Sequence, residues 1–179
     1  MMKVFMLFLL PFFVIFSNTF EEEKIAWDKN RPLTWEDFKG IPNRADDFVA
    51  STNSGVSFSF SFSERNGEAS VTYTVLSNFY PNLSWYRKDR VTTYILEHEQ
   101  THFDISELHA RKLRKALSSV PHNKDFKEKA EQIYNALEME RREMQTQYDK
   151  ESDHSNIKEY EYRWRDYVAE QLKAFEAWK

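Results

Sequence analysis

The chain has 179 residues, 41% of them hydrophobic and 16% aromatic, enough to bury one sizeable core and too few to demand a second domain. Its 25 basic and 29 acidic residues are mixed along the chain and leave a net charge of only −4, which argues against a nucleic-acid partner because no basic patch is available to neutralise phosphates. There is no cysteine, which excludes disulfides and a lipoprotein attachment site, so the core alone must hold the fold.

Lys3 precedes an apolar run from Val4 to Phe16, which gives way to Ser17-Asn18-Thr19 and the charged Glu21-Glu22-Glu23-Lys24. A basic start, a short apolar stretch and a small-x-small triplet have the layout of a secretory signal cleaved after Thr19. The run is too short to span a bilayer comfortably. The expected organisation is a signal peptide over 1–19 and one mature domain over 20–179, with no membrane span after cleavage. Export without disulfides suits a bacterial envelope, so the expected location is periplasmic or secreted.

Lys24 to Pro42 is Trp-rich and broken by prolines. A short strand is expected at Ile25 to Trp27 and a brief capped helical turn at Thr34 to Phe38, ended by Gly40 and Pro42. Trp27, Trp35 and Phe38 read as core aromatics. Val56-Ser57-Phe58-Ser59-Phe60-Ser61-Phe62, then Asn66-Gly67, then Val71-Thr72-Tyr73-Thr74-Val75 is a hairpin pattern. A two-residue turn at Asn66-Gly67 sets Phe62 opposite Val71, Phe60 opposite Tyr73 and Phe58 opposite Val75. The oily face of that hairpin needs a partner, and the remainder of the chain reads as helix. The fold class is therefore α+β, an N-terminal antiparallel hairpin or sheet packed on three long helices.

The first helix is expected from about Lys88 to Leu117, and it contains His98-Glu99-x-x-His102. Residues four apart share a helical face, so both imidazoles can reach one cation from a rigid support. Glu99 follows His98 directly and projects beside such a metal, where it serves as candidate general base. A second helix is expected over about Asp125 to Gln147. The polar, non-periodic stretch Tyr148 to Ser155 reads as a loop, and a last helix covers about Asn156 to Phe175.

A catalytic zinc takes three protein ligands, so the helix pair needs a third. His109 lies eleven residues beyond His98, roughly 16 Å along the axis, which removes it on a straight helix. His122, beside Pro121, reads as a surface residue. His154 sits in the acidic stretch with Asp149, Glu151 and Asp153, and the choice lies between His154 and the carboxylates Asp149 and Glu151. Asp104 and Glu107 are candidates for orienting a ligating imidazole, and Tyr148 for steadying an oxyanion.

Four segments carry a resemblance: Trp35-x-Asp37-Phe38-x-Gly40-x-Pro42, Ala50-x-Thr52-x-Ser54-Gly55, His98-Glu99-x-x-His102-Phe103-Asp104-Ile105-x-Glu107, and Tyr148-Asp149-x-Glu151-x-x-His154. In this order they resemble the bacterial domain-of-unknown-function family nine-twenty-two, described as predicted secreted zinc-dependent proteases, and the match covers nearly the whole mature chain. The resemblance implies a zincin-like fold, a Zn2+ cofactor held by His98, His102 and His154, and Glu99 as base. Thr101 and Ser155 stand where glycine is expected, and Ser152 where threonine is. The functional expectation is an exported zinc metallopeptidase acting on a peptide or protein substrate. The alternative is a non-catalytic envelope binding or structural module on the same scaffold.

Overall fold

The computed structural model describes residues 22–43 and 48–179. The signal segment expected over 1–19 lies outside the described residues. Among the described residues no helix is long and apolar enough to cross a membrane.

The hairpin forms as its alternation requires. Strands β3 (Ser54–Arg65) and β4 (Glu68–Phe79) pair antiparallel, with Phe58 opposite Val75, Phe60 opposite Tyr73 and Phe62 opposite Val71. The turn is Asn66 and Gly67, both at positive φ (52° and 81°), the backbone that a two-residue hairpin turn demands. Strand β1 (Ile25–Ala26) adds to the other edge of β4, giving the order β1-β4-β3. Two further short strands, β2 (Ala50–Ser51) and β5 (Trp85–Tyr86), make a separate antiparallel pair.

Three helices follow: α1 (Thr93–Leu117), α2 (Phe126–Ser152) and α3 (Lys158–Ala174). Helix α1 is central, packing on both long strands and on both other helices. It starts later than its composition suggests, because Lys88–Arg90 closes a separate 3-10 turn and the Thr92 side chain caps the helix by accepting from the Ile95 amide at 3.3 Å. Val56, Val71 and Val75 from the hairpin pack with Leu113, Leu117, Phe126 and Ala130. On the other side, Phe38, Phe79 and Phe103 make a second cluster, with Trp27 and Trp35 against it as core aromatics.

A helix packed between strands and two other helices must pair whatever charge it carries inward. Arg111 is 1% exposed, and its guanidinium donates to Glu107 at 2.9 Å, Glu176 at 2.9 Å and the Leu172 carbonyl at 2.6 Å.

Helix α2 runs five residues past its expected end, through Tyr148-Asp149-Lys150-Glu151 to Ser152. The stretch read as a loop is therefore a last helical turn, followed by Asp153, His154 and Ser155 at φ 48°, 50° and 72°. Periodicity misleads there because only Tyr148 and Ser152 are buried, while Asp149 lines a cleft and Lys150 lies outside it. The serine at 155 occupies a left-handed position that glycine adopts without penalty. The amide of His154 donates to the Asp149 carbonyl at 2.9 Å and that of Ile157 to the Ser152 carbonyl at 2.8 Å, so the reversal also closes the helix end.

Candidate metal centre

His98 and His102 leave the same face of α1 one turn apart, with ring centroids 4.8 Å from each other and planes at 87°. Across from them, the last turn of α2 presents Asp149. The Nε2 atoms of the two histidines are 3.2 Å apart, and Asp149 Oδ1 lies 3.3 Å from the first and 2.9 Å from the second. These are the spacings of a metal's ligands: a tetrahedral centre with bonds of about 2.0–2.1 Å has edges of about 3.3 Å.

Hydrogen bonding on the far side of each ring decides what those Nε2 atoms carry. His98 Nδ1 is 2.9 Å from Glu161 Oε2, and an ionised carboxylate only accepts, so the ring proton sits on Nδ1. His102 Nδ1 meets the Gln145 side-chain oxygen. The amide is held in that orientation because its nitrogen donates to the His102 carbonyl at 2.8 Å. Both Nε2 atoms thus present lone pairs, and Asp149 Oδ1, buried and without a well-formed hydrogen bond, presents a third acceptor. Three acceptors converging at such distances require a positive charge between them. His98, His102 and Asp149 form a group able to hold a metal ion.

Without a metal a proton must supply that charge. Burial opposes charging His98, but the Asp149 and Glu161 carboxylates overcome it and push its pKa up to about 9. In that protonated, metal-free state burial would likewise raise Asp149, yet the His102 and His98 rings against it hold its carboxyl well below the usual range.

Glu99 is 4% exposed, and its Oε2 is buried without a donor. It lines, with the metal group, a cleft of about 1010 Å³. One wall of the cleft is the extended run 48–54, and the other is the inner face of α2 from Arg141 to Asp149. The first wall is fastened to α1: the Thr52 hydroxyl donates to the Glu99 carbonyl at 3.2 Å and that of Ser54 to the His102 carbonyl at 3.3 Å.

The remaining candidates fall in distinct places. His154 is outside the group of three; it stands at the cleft with its side chain 43% exposed, Nδ1 3.7 Å from Asp149 Oδ1 and its ring against Phe48. Asp149 lies inward because it is on the helix, whereas His154 is on the left-handed reversal beyond it. Glu151 is turned away, accepting from Trp164 Nε1 and Gln147 at 2.8 Å. Tyr148 is fully buried behind the two imidazoles, and its hydroxyl donates to Glu161 at 2.6 Å. It therefore supports the rings from behind and does not face an oxyanion in the cleft. Asp104 accepts from Trp27 at 2.7 Å and Gln100 at 2.8 Å, and Glu107 pairs with Arg111 and Arg114, so neither touches the histidines. His109 is buried, donating Nδ1–H to the Ile105 carbonyl at 2.8 Å, and His122 is exposed.

Glu161 and Gln145 are the functional side chains that composition and motif reading miss. Glu161 shares a helical face with Trp164 and Val168, and a carboxylate on an apolar stripe is the signal that finds it.

A family described as "Bacterial protein of unknown function (DUF922)" matches residues 37–155, which span all three donors and Glu99. No curated protein and no solved structure matches.

Proposed function

The chain belongs to this bacterial family of unknown function, and on that premise we propose that it is an exported zinc-dependent metallopeptidase with His98, His102 and Asp149 as ligands and Glu99 as general base. The observation that carries the reading is the meeting of three acceptor atoms within 3.3 Å, beside a buried Glu99 oxygen that no donor satisfies. Two imidazoles and one carboxylate suit zinc by donor type and leave a coordination position free. When bound, the ion supplies Lewis acidity toward a carbonyl and toward water.

The protein's own groups then divide the work. Asp149 contributes one negative charge to the ion, and the imidazoles are fixed from behind by Glu161 and Gln145. Glu99 holds its carboxylate in the cleft beside His98. There the carboxylate takes a proton from water and returns it to the departing amine, the two proton transfers that amide hydrolysis needs.

The wall formed by 48–54 suits an extended substrate. The Val49 carbonyl accepts from the Arg87 amide at 2.8 Å, so the alternation of an antiparallel pair turns the backbone groups of Ala50 away from β5. That free edge borders the cleft, where it offers main-chain hydrogen bonds to a peptide laid alongside. Export rests on the N-terminal residues, and mature protein beginning near Phe20 in the envelope fraction is the expected result.

Hydrolysis of an unstructured protein or a peptide library by zinc-loaded wild type and Glu99→Gln tests the reading. The variant keeps size and hydrogen-bonding shape but removes the base, and turnover is expected to fall on the order of a hundredfold or more with zinc retained. Equal turnover in both proteins overturns the assignment of Glu99. A zinc-loaded but inert wild type leaves a binding module on the same scaffold.

A further inference from the structure

Glu161 lies beyond the matched residues 37–155, on a helix that supplies none of the three donors, yet its carboxylate is fully buried against His98. We propose that Glu161, clamped by Tyr148 and Arg165, is a positioning residue that fixes which nitrogen of His98 faces the metal, making α3 a working part of the centre. The inference rests on the zinc reading above.

His98 ligates through Nε2 only when its ring proton is on Nδ1. The Glu161 carboxylate enforces that state from 2.9 Å, because it has no hydrogen to offer and would be left facing a bare lone pair by the other tautomer. Nor is the carboxylate free to turn. Its second oxygen accepts from the Tyr148 hydroxyl at 2.6 Å and from Arg165 Nε at 2.7 Å. Arg165 is anchored in turn to the start of α1, donating to the Tyr94 carbonyl at 2.8 Å and pairing with Glu97. His102 is held differently, by the amide of Gln145, which contains both an acceptor and a donor. The tautomer of His98 is thus enforced by charge, and that of His102 by the orientation of a neutral side chain.

The Glu161→Gln substitution separates positioning from space filling. Tyr148 and Arg165 both donate, so they capture the amide oxygen and leave the amide NH2 facing His98 Nδ1. That arrangement stabilises the wrong tautomer, with a proton on Nε2 aimed at the metal. Zinc affinity, measured by competition with a chelator, is expected to weaken ten- to a hundredfold, with far-ultraviolet circular dichroism unchanged. Adding Tyr148→Phe and Arg165→Leu releases the amide to turn its oxygen toward His98, and most of the lost affinity is expected to return. A merely structural role predicts a further loss in the triple variant, and that result overturns the proposal, as does wild-type affinity in Glu161→Gln.

If a variant fails to fold, nitrogen-15 spectra of the zinc-loaded wild type decide. The expected state of His98 is a proton on Nδ1 and zinc on Nε2, and zinc on Nδ1 overturns the proposal. A wild type that binds no zinc defeats the metal reading and this inference together, whereas zinc binding unaffected by Glu161→Gln removes only the role of Glu161.

Discussion

His98 and His102 face each other through their Nε2 atoms at 3.2 Å, while the opposite nitrogen of each ring is held by Glu161 or Gln145. A metal entering between them must displace the proton that two carboxylates hold on His98, whose pKa they push up to about 9 against the effect of burial. Zinc affinity is therefore expected to rise with pH between about 6 and 9, by about tenfold per unit for the one proton released. Chelator competition across that window measures the slope, and a flat profile would mean that His98 is not displaced from a proton by the metal.

Removing either imidazole leaves two donors where zinc needs at least three from the protein. His98→Ala and His102→Ala are each expected to lose the metal during dialysis at neutral pH, whereas His122→Ala, altering an exposed residue, is expected to keep it. Metal analysis of the three variants checks this. Full zinc in the first two would place the metal elsewhere.

His109 gives the fold a pH dependence of its own. Burial pushes its pKa down to about 4, below the value of about 6.5 it takes in an unfolded chain. The unfolded state therefore binds a proton that the folded state refuses between those two values, and the contribution to stability is complete above about pH 6.5 and lost as pH falls toward 4. The size is on the order of 3 kcal/mol. Urea denaturation at several pH values should show stability falling over that window, and His109→Gln should flatten the fall. An unchanged slope in the variant would assign the acid sensitivity to other groups.

Arg111 is the largest of the fully buried side chains among the described residues and holds two carboxylates and one carbonyl. Arg111→Ala leaves Glu107 buried with a weaker partner, Arg114, at 3.1 Å. The expected loss is about 3–5 kcal/mol, the scale for breaking a buried ion pair by removing one member. A midpoint of urea denaturation equal to wild type would contradict the buried pairing.

Most of this architecture is legible where one physical signal dominates. The Ser/Phe alternation of 56–62 and the Asn66-Gly67 turn specify both hairpin and register, and the pairings of Phe58, Phe60 and Phe62 follow from them. His98, Glu99 and His102 are legible because a helical turn sets their spacing. The α+β class follows from strands preceding helices. The end of α2 is not legible: in Tyr148-Asp149-Lys150-Glu151 only Tyr148 enters the core, Asp149 lines the cleft and the other two lie outside it, so periodicity has little to register. Glu161 shows locally only as a carboxylate on an apolar stripe, and Gln145 shows no local signal at all. Their partners, His98 and His102, depend on how α2 and α3 cross behind α1, and that crossing leaves no pattern in the chain.

The central claim is that Asp149, on the last turn of α2, completes the centre, with His154 standing beside it. Zinc stoichiometry of the purified mature protein tests it most directly when Asp149→Ala and His154→Ala are measured beside wild type. About one zinc per chain is expected in wild type and in His154→Ala, with the metal lost from Asp149→Ala. Zinc retained by Asp149→Ala and lost from His154→Ala would contradict the account, as would iron in place of zinc in wild type, since two histidines and one carboxylate also serve that metal.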